Sequence, residues 1–115
     1  MKLFVLAAAV ILSGCSIIIP KRHDPVMFDQ LVTIKVGVDQ LQCGEPVYWE
    51  IVDNRVHKLE IYTEWRSDPQ AAAVKSLRES LKKASESKSK TFCESLLKIN
   101  KTRIDVIADA WKGRK

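Results

Sequence analysis

Histidine, cysteine, glycine and proline are all scarce in this chain, with two, three, four and four among 115 residues. Four isolated glycines exclude a glycine-rich loop of the kind that cradles phosphate. With only two histidines, His23 and His57, the sequence offers no second imidazole to complete a metal site and no base that spacing alone would pair with a serine or cysteine nucleophile. Long apolar runs are also lacking. The longest, Leu3 to Leu12, would make only about 15 Å of helix against a hydrocarbon core of roughly 30 Å, so it is too short for a permanent membrane span. No stretch keeps up the polar–apolar alternation of a strand. The length itself excludes a multidomain enzyme. A domain of this size buries roughly 65% of its chain's surface, enough for one modest core and little room for a deep cleft.

What is present begins with a leader. Met1-Lys2 gives a short positive start, ten apolar residues follow, and Leu12-Ser13-Gly14-Cys15 closes the run with small side chains before a cysteine. This pattern resembles the bacterial lipoprotein precursors, whose Leu-small-small-Cys lipobox is cut before the cysteine and whose cysteine is then acylated. The resemblance covers residues 1–15. It implies a cleaved signal peptide, 1–14, and lipidation of Cys15 by palmitate-type chains, which would hold the protein to a membrane far more firmly than a single acyl chain does. In the Gram-negative members an Asp after the cysteine tends to retain the protein at the inner membrane. Ser16 stands there, so the resemblance implies the outer membrane, with the domain in the periplasm.

Residues 15–24 read as a lipidated tether. Ile17 to Ile19 either lie against the acyl chains or pack on the domain, Pro20 blocks a helix running backward, and Lys21-Arg22 suit anionic head groups. His23 reads as a solvated linker residue. The helical domain is expected over 25–115, and its pattern predicts four amphipathic helices. The first runs over 25–42 behind an Asp24-Pro25 cap, with Leu31, Ile34, Val38 and Leu41 on one face and Gly44 as its stop. A second opens at Pro46, with Tyr48, Val52, Val56, Leu59 and Tyr62 in line and Trp65 at the end. A third runs from Pro69, with Ala73, Val74, Leu77, Leu81 and Ala84 as its stripe, and dissolves in Ser85 to Lys90. The fourth takes Phe92, Leu96, Ile99, Ile104, Val106, Ile107, Ala110 and Trp111 to the basic end Lys112-Gly113-Arg114-Lys115. Short connections make sequential helices pack side by side, so the expected fold is an all-α, antiparallel four-helix bundle.

That topology returns the chain to its first end after three helices, so Cys43, closing the first, and Cys93, opening the fourth, are expected to meet. In an oxidising periplasm, with Cys15 acylated, they form the only available pair, and a bridge there would contribute about 4 kcal/mol on the loop-entropy account. Two free buried thiols are the alternative.

Candidate chemistry is thin. Glu50, Asp53, His57 and Glu60 fall along one side of the second helix, but Arg55 and Lys58 sit close enough to neutralise the stripe, and helix surfaces are routinely acidic. Trp49, Trp65, Trp111, Tyr48 and Tyr62 have the spacing of core or domain-end packing more than that of a ligand platform. No catalytic residue, metal ligand or cofactor is assigned, and the expectation is a non-enzyme. Removing Lys2 with the leader leaves 18 Lys plus Arg against 14 Asp plus Glu, a side-chain charge of +4, much of it in Lys82-Lys83, Lys88 to Lys90 and the last four residues. In a lipid-anchored periplasmic domain such charge suits anionic lipid or the acidic peptides of peptidoglycan, not nucleic acid.

The function expected is that of a binding or structural lipoprotein that contacts an envelope protein. The alternative is a phage-encoded lysis or superinfection-exclusion lipoprotein. Size and lipobox are similar to those of the outer-membrane subunit of spanin complexes, although such subunits are often proline-rich and extended, whereas here the four prolines mark caps and the tether. Arg114-Lys115 is similar to the end of the major wall-linked outer-membrane lipoprotein, whose final lysine is joined to peptidoglycan. A bundle about 27 Å tall falls far short of the reach of one continuous helix, so the tail is expected to be an exposed cap that complements the helix dipole and touches acidic groups reversibly.

Overall fold

Asp24 and Pro25 open the first helix as their residue types require. In the computed structural model, which describes residues 22–114, the Asp24 carboxylate accepts the amides of Val26 and Met27 at 2.9 and 3.1 Å, and Pro25 occupies the first turn, where its missing N–H costs nothing. The leader, Cys15, Ile17 to Ile19 and Lys115 lie outside the described residues.

The domain is four helices, α1 Pro25–Gln40, α2 Trp49–Trp65, α3 Ala71–Glu86 and α4 Lys90–Lys112. α1 ends two residues before the expected position, because Leu41 is extended and its amide turns back to the Val38 carbonyl. Gly44 then reverses the chain at φ +89°, and the Trp49 indole closes the loop on the Gln42 carbonyl at 3.2 Å. Pro46 to Tyr48 complete this turn, so α2 starts at Trp49 and not at Pro46. At its far end Arg66 caps the helix and Ser67 adopts φ +53°. The Ser67 amide bonds the Glu64 carbonyl and the Asp68 amide bonds the Thr63 carbonyl, a Schellman ending with serine where glycine is usual. α3 starts at Ala71, two residues after Pro69, since the Asp68 side chain and carbonyl take the Gln70 and Ala71 amides. A three-residue link leads to α4, which Ser89 caps through the Phe92 amide.

α1 packs on α2, α2 on α3, α3 on α4 and α4 back on α1, a four-membered ring. Contacts at the helix ends fix the directions. Asp24, before α1, meets Tyr62 and Arg66 at the end of α2; Asp68, before α3, meets Trp111 and Arg114 at the end of α4; Cys43, after α1, is bonded to Cys93 at the start of α4. Neighbours are therefore antiparallel, as an up-down bundle requires, and the disulfide expected from that topology is formed, with the two Cα atoms 6.0 Å apart.

Buried positions alternate by three and four along every helix: Met27, Leu31, Ile34, Val38 and Leu41; Val52, Val56, Leu59 and Thr63; Val74, Leu77, Leu81 and Ala84; Cys93, Leu97, Asn100, Ile104, Ile107 and Trp111. This 3.5-residue period is that of knobs-into-holes packing. It corrects the expected stripe of α4, which counts Phe92, Ile99 and Val106 in the core. They stand 52%, 47% and 60% exposed. α4 carries apolar residues on two adjacent faces, and the one that turns inward holds Cys93, Leu97, Ile104, Ile107 and Trp111. Asn100, fully buried in that seam, donates to Ser80 Oγ of α3 at 3.0 Å, so the one amide in the core pairs across the helix interface.

Candidate interaction surfaces

Three surfaces gather the residues with chemical character. The first is the end of the bundle where the described chain starts and stops. Asp24 Oδ2 accepts from the Tyr62 hydroxyl at 2.7 Å and from Arg66 at 3.1 Å. Burial alone would raise this carboxyl, but the Tyr62 hydroxyl, the Met27 amide, the Arg66 charge and the Val26 amide outweigh it and hold it below the ordinary carboxylate range. Tyr62, donating to that carboxylate, is pushed up. Asp68 lies across the same end with its side chain fully buried. It accepts the Trp111 indole at 3.3 Å, the Gln70 amide at 2.8 Å and both terminal nitrogens of Arg114. Burial would again raise it, and again its donors, led by Arg114, prevail and lower it. Both carboxylates thus face inward, each covered by an arginine.

This clamp corrects two expectations. His23 is exposed yet held to the bundle, its Nδ1–H donating to the Trp111 carbonyl at 3.2 Å and its ring lying 5.7 Å from that of Phe28. Arg114 is pinned, only 12% of its side chain exposed, so the tail is an exposed cap at Lys112 and not at Arg114. Lys112 pairs with Asp109 at 2.9 Å on the helix surface, which raises its ammonium. Trp65 stands at the same end, 86% exposed, with no partner for its indole among the described residues.

The second surface is the disulfide end. Here Trp49 is half-buried between a pocket of about 390 Å³, walled by Pro46, Asp53, Arg78 and Leu81, and a smaller one reaching Cys93. Val47, Tyr48 and Ile51 are exposed beside it. The third is a shallow groove of about 490 Å³ along α3 and α4, lined by Ala73 and Ser76 of α3 and by Ile99, Arg103, Val106 and Ile107 of α4.

The acidic stripe of α2 does not stay together. Arg78 of α3 reaches across to Asp53 at 3.0 Å and to Glu60 at 3.4 Å, and these pairings, Asp53 first, raise the guanidinium pKa further. Glu50 and His57 are exposed, and among the described residues no three His, Cys, Asp or Glu side chains gather as a metal site. The five aromatics are divided as well, Tyr48 and Trp49 at the disulfide end and Tyr62, Trp65 and Trp111 at the other, with Trp111 in the core. Sequence reasoning missed Asp68 and Arg114 as partners. Their only signal was an Asp in a cap position and an Arg after the last helix, a pairing that becomes visible once α3 and α4 are set antiparallel. Comparison with protein-family models, with curated proteins and with solved structures gave no match, so the reading rests on this chain's own residues.

Proposed function

We propose that this chain is a lipoprotein held by acylated Cys15 at the periplasmic face of the outer membrane, where its bundle serves as a non-catalytic binding module for another envelope protein. The observation that carries the reading is the conjunction of a leader ending in Leu12-Ser13-Gly14-Cys15 with a domain stapled by Cys43–Cys93, since a stable disulfide belongs to an oxidising compartment and the remaining cysteine is the one the lipobox presents. A binding role is supported by the outward stripe Phe92, Ile99 and Val106, seven residues apart, of which Ile99 and Val106 line the groove with α3. A non-catalytic role is supported by the use made of the perturbed groups: Asp24, Tyr62 and Asp68 are occupied with clamping helix ends, and Arg78, which walls the pocket beside Trp49, is occupied with Asp53 and Glu60.

Metabolic labelling with palmitate and fractionation of the envelope test the anchor. The wild type incorporates label and sediments with outer membrane, and Cys15→Ser loses both. A Cys15→Ser protein that still incorporates palmitate refutes the reading. Crosslinking in cells tests the module: an adduct formed from the α3–α4 groove is expected to disappear in Ile99→Glu/Val106→Glu while the folded protein persists.

A further inference from the structure

We propose that the clamped end of the bundle is a membrane-docking face, seated on the lipid surface with Trp65 inserted at the interface. This rests on the anchoring reading above and adds an orientation to it. Four antiparallel helices bring Arg22, where the described chain begins, and Arg114, where it stops, to one end. Seven peptide links separate Arg22 from Cys15, so this end lies within about 25 Å of an acylated cysteine even with the tether fully extended. A face so confined meets the bilayer at high effective concentration.

Its composition suits that surface. Trp65, with its apolar ring and donor N–H, has the character of an interfacial anchor, and it is the most exposed large hydrophobic side chain among the described residues. Val26, exposed in the first turn of the neighbouring antiparallel helix, extends the apolar part. The carboxylates that would repel a phosphate, Asp24 and Asp68, are turned inward under Arg66 and Arg114. Arg22 and Lys112 are exposed there, and Lys21 and Lys115 adjoin the described ends in sequence. Glu64 and Asp109 oppose them, the latter paired with Lys112, and Asp29 is exposed one turn along α1 from Val26, so the charges of this end balance among the described residues and the apolar side chains carry the docking. The disulfide end, with Val47, Tyr48 and Ile51 exposed, would then point away from the bilayer toward partners in the periplasm.

The two accessible tryptophans lie at opposite ends, which makes the orientation measurable. The protein purified from membranes is weighed intact to establish the acyl mass on Cys15 and reconstituted into vesicles of phosphatidylethanolamine and phosphatidylglycerol carrying brominated acyl chains. Bromine is expected to quench tryptophan emission in the wild type and in Trp49→Phe, and the quenching is expected to be lost in Trp65→Phe. Replacing phosphatidylglycerol by phosphatidylcholine is expected to leave it unchanged, since the charges of this end balance, whereas Val26→Glu is expected to weaken it. Quenching lost in Trp49→Phe and kept in Trp65→Phe would reverse the orientation and overturn the proposal. Acylated, vesicle-bound protein with no quenching would overturn it too, leaving the anchor intact. Protein without acyl mass would overturn the anchor and the docking together.

Discussion

Asp68 and Arg114, 46 residues apart in sequence, form a two-pronged ion pair with the carboxylate fully buried and the guanidinium nearly so. The Trp111 indole donates to the same carboxylate. One side chain thus fastens the start of α3 to the last turn of α4, and Asp24 does the same for α1 and α2.

The pair predicts the acid response. Both carboxyls are lowered in the folded protein, so between the folded and unfolded pKa the unfolded chain binds more protons and stability rises with pH there. Their contribution is complete above the unfolded value, near pH 4, and is lost as pH falls through the lowered ones. Thermal melts from neutral pH to pH 2 should show a steep loss below about pH 4. Asp68→Asn should be destabilised at neutral pH by about 3 kcal/mol, because it leaves the Arg114 charge without its partner, and should show a shallower acid limb. An unchanged limb would exclude Asp68 from the response. Lys112→Ala breaks only an exposed pair and should leave the melting temperature unchanged within error.

The staple gives a second prediction. Cys43 and Cys93 close a loop with a sequence separation of 50, for which the loop-entropy account gives about 4 kcal/mol. Reduction, or the double substitution Cys43→Ala/Cys93→Ala, should therefore lower the melting temperature by roughly 20 °C. Helical circular dichroism should survive at low temperature, since the stripes of all four helices remain. Recovery of both thiols in free form after rapid alkylation of periplasmic protein would remove the bridge.

Much of this fold can be read from residue order. α3 has one apolar face, so Val74, Leu77, Leu81 and Ala84 identify its core unaided, and in α1 the larger side chains Leu31, Ile34 and Leu41, with Val38, keep the three-and-four spacing although Val26, Val32 and Val36 stand exposed on the same helix. α4 resists because Phe92, Ile99 and Val106 lie one residue from Cys93, Asn100 and Ile107, about 100° around the helix, and periodicity alone cannot choose between two apolar faces when the inward one contains an asparagine. Helix ends resist for a different reason. Whether Pro46 opens a helix or finishes a turn depends on Trp49 reaching back to the Gln42 carbonyl, a contact no local pattern carries. The clamped end was half legible: an even number of antiparallel helices returns the basic tail to the tether, but that Trp65 is exposed while Trp111 is buried follows only from the packing.

Ser67 gives a third prediction. It occupies the left-handed position of the Schellman ending at φ +53°, where any side chain is strained and glycine is not. Ser67→Gly should raise stability by about 0.5 to 1 kcal/mol in urea titration, with the slope unchanged. A loss on substitution would mean that the serine makes a contribution outside this turn.

Gly37 sets two effects of opposite sign against each other. It lies within α1, where replacing glycine by alanine ordinarily strengthens a helix by about 1 kcal/mol. Yet a Cβ at Gly37 would come within 2.9 Å of Val52 Cγ2, closer than such atoms approach. Val52 has little room to yield: it is buried, and a β-branched side chain in a helix holds one rotamer strongly. Overpacking of this kind costs about 1 to 3 kcal/mol, so the clash should outweigh the propensity and Gly37→Ala should destabilise the protein by about 1 kcal/mol. Val52→Ala removes the obstructing methyls and alone costs stability through the cavity it leaves. In the double variant Gly37→Ala/Val52→Ala the new methyl partly fills that space, so its loss should be smaller than the sum of the two single losses. Additive losses, or a more stable Gly37→Ala, would show that α1 and α2 do not meet through this glycine.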